Sequence, residues 1–146
     1  MRITIRGGTK AERKLCRSVT KFVLPRLLTF KYLNTLSLTI TLTNRIGVDH
    51  GRTKLPIFMG EPPTKINTQI KSLLGKRSII LALCHELVHV AQIASGRLRG
   101  TFTEIKWLDF KKDYTNVVYE LQPFEKEAFE YQEILARDYL YEYCHW

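Results

Sequence analysis

The stretch LALCHELVHVAQ, residues 81–92, sets two histidines four positions apart in an apolar run, with a glutamate beside the first. On a helix, His85 and His89 stack on one face, and Glu86 is turned by about 100° from His85. Three polar side chains in apolar surroundings need partners, because an unpaired buried polar group costs about 1–3 kcal/mol or more. A metal ion satisfies all three. Both imidazoles can reach one Zn2+ at about 2.0–2.1 Å, while Glu86 points toward the open coordination position, where it can serve as general base. The bland alternative is two core or surface histidines that happen to flank a glutamate. The apolar helical setting of Leu87, Val88, Val90 and Ala91 favours the metal.

A catalytic zinc needs a third protein ligand. The only histidine downstream of His89 is His145, and residues 89–99, HVAQIASGRLR, carry no further ligand histidine. The third ligand is therefore expected to be a carboxylate from YELQPFEKEAFEYQE, with Glu120, Glu125, Glu127, Glu130 and Glu133 as candidates. Glu127 is favoured. It stands in the first turns of a helix on which Phe124, Ala128 and Tyr131 would define the packed side, with Glu130 and Tyr131 one turn along to orient the ligands. Glu125 and Glu133 read as solvated positions near a helix start. Tyr119, more than Tyr114, is a candidate donor to a developing oxyanion.

The 146 residues suit one domain, 1–146, with 45% hydrophobic composition. No stretch approaches the roughly 20 apolar residues of a membrane helix, and no secretory signal is visible. Three cysteines without a C-x-x-C pair fit reduced thiols, so a cytoplasmic protein is expected. The net charge of +9 is uneven: residues 1–77 hold 16 basic and 3 acidic side chains, residues 78–146 hold 7 and 11. That asymmetry fits either a solvated basic half or a surface for a polyanion such as nucleic acid.

Thr9 reads as the N-cap of a helix over 10–24 with Ala11, Leu15, Val19, Phe22 and Val23 on its inner side. Lys10, Arg13, Lys14, Arg17 and Lys21 form a basic stripe on the other side, the candidate nucleic-acid-binding residues. ITIR (3–6) can be a short edge strand, TLSLTITLTN (35–44) alternates as a half-buried strand, KLPIFMG (54–60) is a weaker one, and TKINTQIK (64–71) a third alternation. A long helix follows from about Ser78 to Gly96, then a hairpin or flap over TFTEIKWLDF (101–110), then a final helix from Pro123. The order points to α+β.

HELVHVAQ (85–92), followed by IKWLDF (105–110) and YELQPFEKEAFE (119–130), resembles small zinc metallopeptidases of gluzincin type carried by bacteriophages and some bacteria, and is distantly similar to SprT-like proteases. Phe124 stands where tryptophan is usual. The resemblance covers about residues 84–131. It implies a minimal zincin-like domain: a small, mostly antiparallel sheet, the HExxH helix, and a C-terminal helix bearing the third ligand. It also implies a zinc cofactor held by His85, His89 and Glu127, Glu86 as base, and a protein or peptide substrate, in a host cytoplasm or virion if phage-encoded. The strand 64–71 is then expected at the sheet edge, where it could receive an extended peptide. Two alternatives stand beside the peptidase: a nucleic-acid-binding protein with a structural or relic zinc, and a protease acting on DNA-bound proteins.

Overall fold

The computed structural model describes residues 1–47, 49–58, 60–101, 104–108 and 112–143; Cys144, His145 and most of the LDFKK segment lie outside them. The chain runs β1 (Arg2–Gly7), α1 (Lys10–Leu27), a four-residue α2 (Phe30–Leu33), β2 (Ser37–Thr43), β3 (Gly51–Thr53), β4 (Lys65–Lys71), α3 (Lys76–Ala94), β5 (Leu98–Gly100), β6 (Ile105–Trp107), one 3-10 turn (Tyr119–Leu121) and α4 (Pro123–Tyr143). It is an α+β fold with a small mixed sheet.

Thr9 caps α1 through a full capping box. Its hydroxyl accepts from the Glu12 N–H (3.1 Å), and Glu12 Oε1 accepts from the Thr9 N–H (2.9 Å). The other Glu12 oxygen accepts from the Leu73 N–H (2.8 Å), which ties the start of α1 to the turn before α3. Cys16, Val19, Phe22, Val23 and Leu24 are buried, and the helix continues through Pro25 to Leu27.

The sheet order is β1-β2-β4-β3. Strands β1, β2 and β4 are parallel, and only β3 runs antiparallel, to β4. This corrects the expectation of a mostly antiparallel sheet: with an 18-residue helix between them, β1 and β2 form a crossover unit. The strand at 65–71 is present, but it is interior. Three-residue β3 takes the edge beside it, which corrects the placement of 64–71 at the rim. The KLPIFMG segment forms no strand among the described residues; Ile57 makes one isolated bridge, to Gly100.

The two faces of the sheet differ. Leu38, Ile40 and Leu42 of β2 and Ile66, Thr68 and Ile70 of β4 are buried toward the helices. The opposite face carries register rows Arg2–Ser37–Lys65, Thr4–Thr39–Asn67 and Arg6–Thr41–Gln69–Arg52, none of them buried. All the long helices thus lie on one side.

Helix α3 runs through the interior, packed by α1 on one flank and α4 on the other. By length and composition it alone among the described helices could cross a membrane, yet 83% of its apolar window is buried inside the protein. Burial pushes the Cys16 and Cys84 thiols up to about 12, so both are inert core groups.

Gly7, the last residue of β1, has φ +73, and a Cβ there would stand 2.2 Å from the Leu42 carbonyl oxygen. Gly47 has nearly the same φ (+74) with nothing within 4 Å of that position. Gly47→Ala should cost about 1–2 kcal/mol from backbone strain alone. Gly7→Ala should cost more by the clash, read as a larger fall in urea midpoint. Equal losses would show that the β1–β2 approach is looser than described.

Candidate metal centre

His85 and His89 stand one turn apart on α3 and are both buried, with ring centroids 4.9 Å apart. Their Nδ1 atoms are each held by a glutamine oxygen: His85 by Gln132 Oε1 (2.7 Å), His89 by Gln92 Oε1 (2.8 Å). The Gln92 orientation is fixed independently, because its Nε2 donates to the Phe124 carbonyl (3.0 Å) and to Glu127 (3.2 Å). Nδ1–H therefore donates in His89, and the Nε2 atom is left for another partner.

That partner is Glu125. Its Oε1 lies 3.1 Å from His85 Nε2 and 3.0 Å from His89 Nε2, and the three ligand atoms fall within 4.8 Å of one another. The third member of the cluster is thus Glu125 and not Glu127, which corrects the sequence expectation. The reason is the register of α4. Its inner seam runs Glu125, Ala128, Gln132, Leu135 and Tyr139, at alternating spacings of three and four, whereas Tyr131 is exposed. A seam drawn through Tyr131 rotates the helix and brings the wrong glutamate inward. Glu127 instead takes both oxygens to Arg97 Nη1 (2.8 and 3.0 Å) and receives Gln92. It supports His89 through Gln92. Glu120, Glu130 and Glu133 are exposed and hold nothing in the cluster.

The donor set fits a metal ion. With Nδ1–H committed in His89, a neutral ring would aim its Nε2 lone pair at the Glu125 carboxylate, which is repulsive; a proton or a cation must lie between them. Burial works to raise the Glu125 pKa, but hydrogen bonds from His85 and His89, the charge of His89 and the nearby Tyr119 hydroxyl outweigh it and lower it to about 2. Burial likewise works to lower His89, and the Glu125 hydrogen bond and charge raise it above its ordinary value. The cluster is built around positive charge. Its residues could hold a metal ion.

Glu86 faces the same space from the next position on α3. Burial raises its pKa, against the pull of His89, His85 and a hydrogen bond from Thr53. Thr53 Oγ1 donates to Glu86 Oε1 (2.8 Å) and contacts Thr68 Oγ1 (3.0 Å). Gly51, two residues earlier on β3, leaves the room this needs: a Cβ there would stand 2.8 Å from Glu86 Cγ and 3.2 Å from Oε2. The edge strand β3 therefore clamps Glu86. Glu86 Oε2 makes no hydrogen bond among the described residues. Sequence reading missed both Gly51 and Thr53, since a three-residue strand after a turn carries no periodic signal.

Tyr119 is where the sequence placed it, at the rim of the site, and burial raises its pKa, so it stays a donor. Tyr114 packs edge-on against Phe124 (6.0 Å). A cavity of about 570 Å³ is lined by Thr53, His85, Glu86, His89, Tyr119 and Glu125, and an adjoining one of about 290 Å³ reaches Leu81, Ala82 and Phe129. Phe129 lies edge-on to His85, with centroids 4.7 Å apart.

The basic stripe of α1 lies away from these cavities. Arg13 donates to the Gly7 and Gly8 carbonyls (3.1 and 2.7 Å) and Arg17 to the Ile3 carbonyl (3.1 Å), so both fasten α1 to β1, while Lys10, Lys14 and Lys21 are exposed.

This chain matches no protein-family model, no curated protein and no solved structure.

Removing either histidine or Glu125 should abolish tight metal binding, whereas Glu127→Ala should keep one metal per chain and Gln92→Ala should weaken binding about 10–100-fold. Metal content after dialysis checks this, and full occupancy in Glu125→Ala would sink the ligand set. Metal uptake must displace the proton that the raised His89 pKa retains, while Glu125 stays ionised down to about 2. Affinity should therefore rise with pH through and above about 6.5, the ordinary histidine value. Competition titrations against a chelator would show it; a flat profile would remove His89 from the ligands.

Proposed function

We propose that the protein is a zinc-dependent metallopeptidase. The observation that carries this reading is the placement of Glu86: a buried carboxylate, fixed through one oxygen, that opens into the same cavity as the His85–His89–Glu125 cluster. Two imidazoles and one carboxylate are a donor set suited to zinc with a position left open. The same set also serves iron(II) in oxygenases, but those have no use for a clamped base beside the ligands. A purely structural zinc would close its fourth position with another side chain.

When held by these residues, zinc supplies Lewis acidity that makes water a nucleophile near neutral pH. The chain's own groups do the rest. Glu86 takes a proton from the attacking water as its oxygen bonds to the peptide carbonyl carbon, and returns that proton to the leaving nitrogen as the C–N bond breaks. Its burial suits it to hold the proton between the two steps. Thr53 keeps Oε1 engaged, leaving Oε2 for the transfer. Tyr119, kept protonated, donates to the oxygen on which charge develops. Gln132 and Gln92 keep the histidine rings aligned. The outer edge of β3, next to Glu86, has no strand partner among the described residues and suits an extended peptide.

Glu86→Gln should lower kcat/KM on an unstructured protein substrate by about 10²–10⁴-fold with metal content unchanged. Thr53→Val should lower kcat by about tenfold with KM and metal retained, and Thr53→Ser should restore it, since a single lost hydrogen bond to a charged group is worth about 1.5 kcal/mol or more. Hydrolysis that survives both Glu86→Gln and chelation would overturn the peptidase reading.

A further inference from the structure

Parallel strands are ordinarily covered on both faces. Among the described residues, three parallel strands are covered on one face only, and the open face is polar throughout. Its cations are Arg2 and Arg6 on β1, Lys65 and Lys71 on β4, and Arg52 on β3; the remaining outward positions on β1, β2 and β4 are Ser, Thr, Asn and Gln. No Asp or Glu belongs to any of the four strands.

We propose that this open sheet face binds the sugar–phosphate backbone of duplex nucleic acid. The side chains of Arg2, Arg6 and Lys65 make no hydrogen bond or ion pair among the described residues, so their charges are available. Arg52 has one loose contact, to Asp49 (3.4 Å), and Lys71 donates to the Gly47 carbonyl (3.1 Å). Four residues of strand separate Arg2 from Arg6, about 13 Å, and two strand spacings separate Arg2 from Lys65, about 10 Å. Over such a length a duplex presents a phosphate for about every 1.7 Å of axis, enough to meet every cation on the face.

The hydroxyl and amide groups between the cations are the side chains that accompany Arg and Lys in phosphate contacts. The face has no aromatic residue on which an unpaired base could stack, which favours a duplex over a single strand. It has no apolar residue to enter a lipid surface either. The α1 lysines belong to the helical layer and take no part. Arg52, at the edge of this face, also lines the cavity beside the metal cluster, whereas Arg2, Arg6, Lys65 and Lys71 do not; the proposal does not depend on the peptidase reading.

Fluorescence anisotropy with a random-sequence duplex DNA of known length, repeated across salt concentrations, tests the proposal. Wild-type protein should bind with log K falling steeply as log salt rises. In the Arg2→Gln, Arg6→Gln, Lys65→Gln triple variant the slope should be shallower by about 2.7, at about 0.9 for each lost phosphate contact. Lys65→Gln with Lys71→Gln, which shares Lys65 with the triple variant, should make the slope shallower by about 1.8, and Lys10→Gln, Lys14→Gln, Lys21→Gln should leave the slope unchanged. An unchanged slope in both sheet variants, a loss confined to the α1 variant, tighter binding to single-stranded DNA of the same length, or equal competition by polyglutamate would each overturn it.

Discussion

The convergence of two imidazole Nε2 atoms and one carboxylate oxygen between α3 and α4 is the constraint on which the rest depends. Three polar groups buried at this spot would destabilise the fold if left unpaired. Both histidines are oriented from behind: His85 by Gln132, His89 by Gln92, and Gln92 in turn by the Phe124 carbonyl and Glu127. The support reaches Arg97, just past the end of α3, so the interface between the two helices is as much a polar network as an apolar seam.

Glu86 is held from a different direction. Strand β3 packs its small residues against Glu86, with Gly51 giving room and Thr53 giving a hydrogen bond. A larger residue at 51 would press on the carboxylate, and an apolar one at 53 would release it. The short edge strand thus belongs to the site as fully as the HExxH helix does.

The one-sided sheet gives the molecule two unlike surfaces. The site opens among the helix α3, the start of α4 and the strand β3, while the cationic strand face looks the opposite way from the helical layer. The charge asymmetry between the two halves of the chain follows from this division: most of residues 1–77 form the sheet and the basic outer side of α1, and the acidic second half supplies α4.

Much was legible in the residues themselves. Thr9 and Glu12 announce the start of α1, the alternation of Leu38, Ile40 and Leu42 announces β2, and H-E-x-x-H at 85–89 marks a helix face whose two histidines could share a metal ion, because each of these is a local rule about neighbours on one element. Strand direction, the identity of the edge strand and the choice between Glu125 and Glu127 were not local. The first two depend on how α1 and the 44–64 segment carry the chain between strands, and the last on a helix rotation: Tyr131 has the apolar character of a core residue, yet the packing leaves it exposed and turns Gln132 inward, so the seam passes through Glu125. The sequence by itself determined that two histidines one turn apart on α3, with a carboxylate from further along the chain, could hold a metal ion. Only tertiary packing decided which carboxylate joins them and which strand holds Glu86, because both are settled by contacts between elements that lie far apart along the chain.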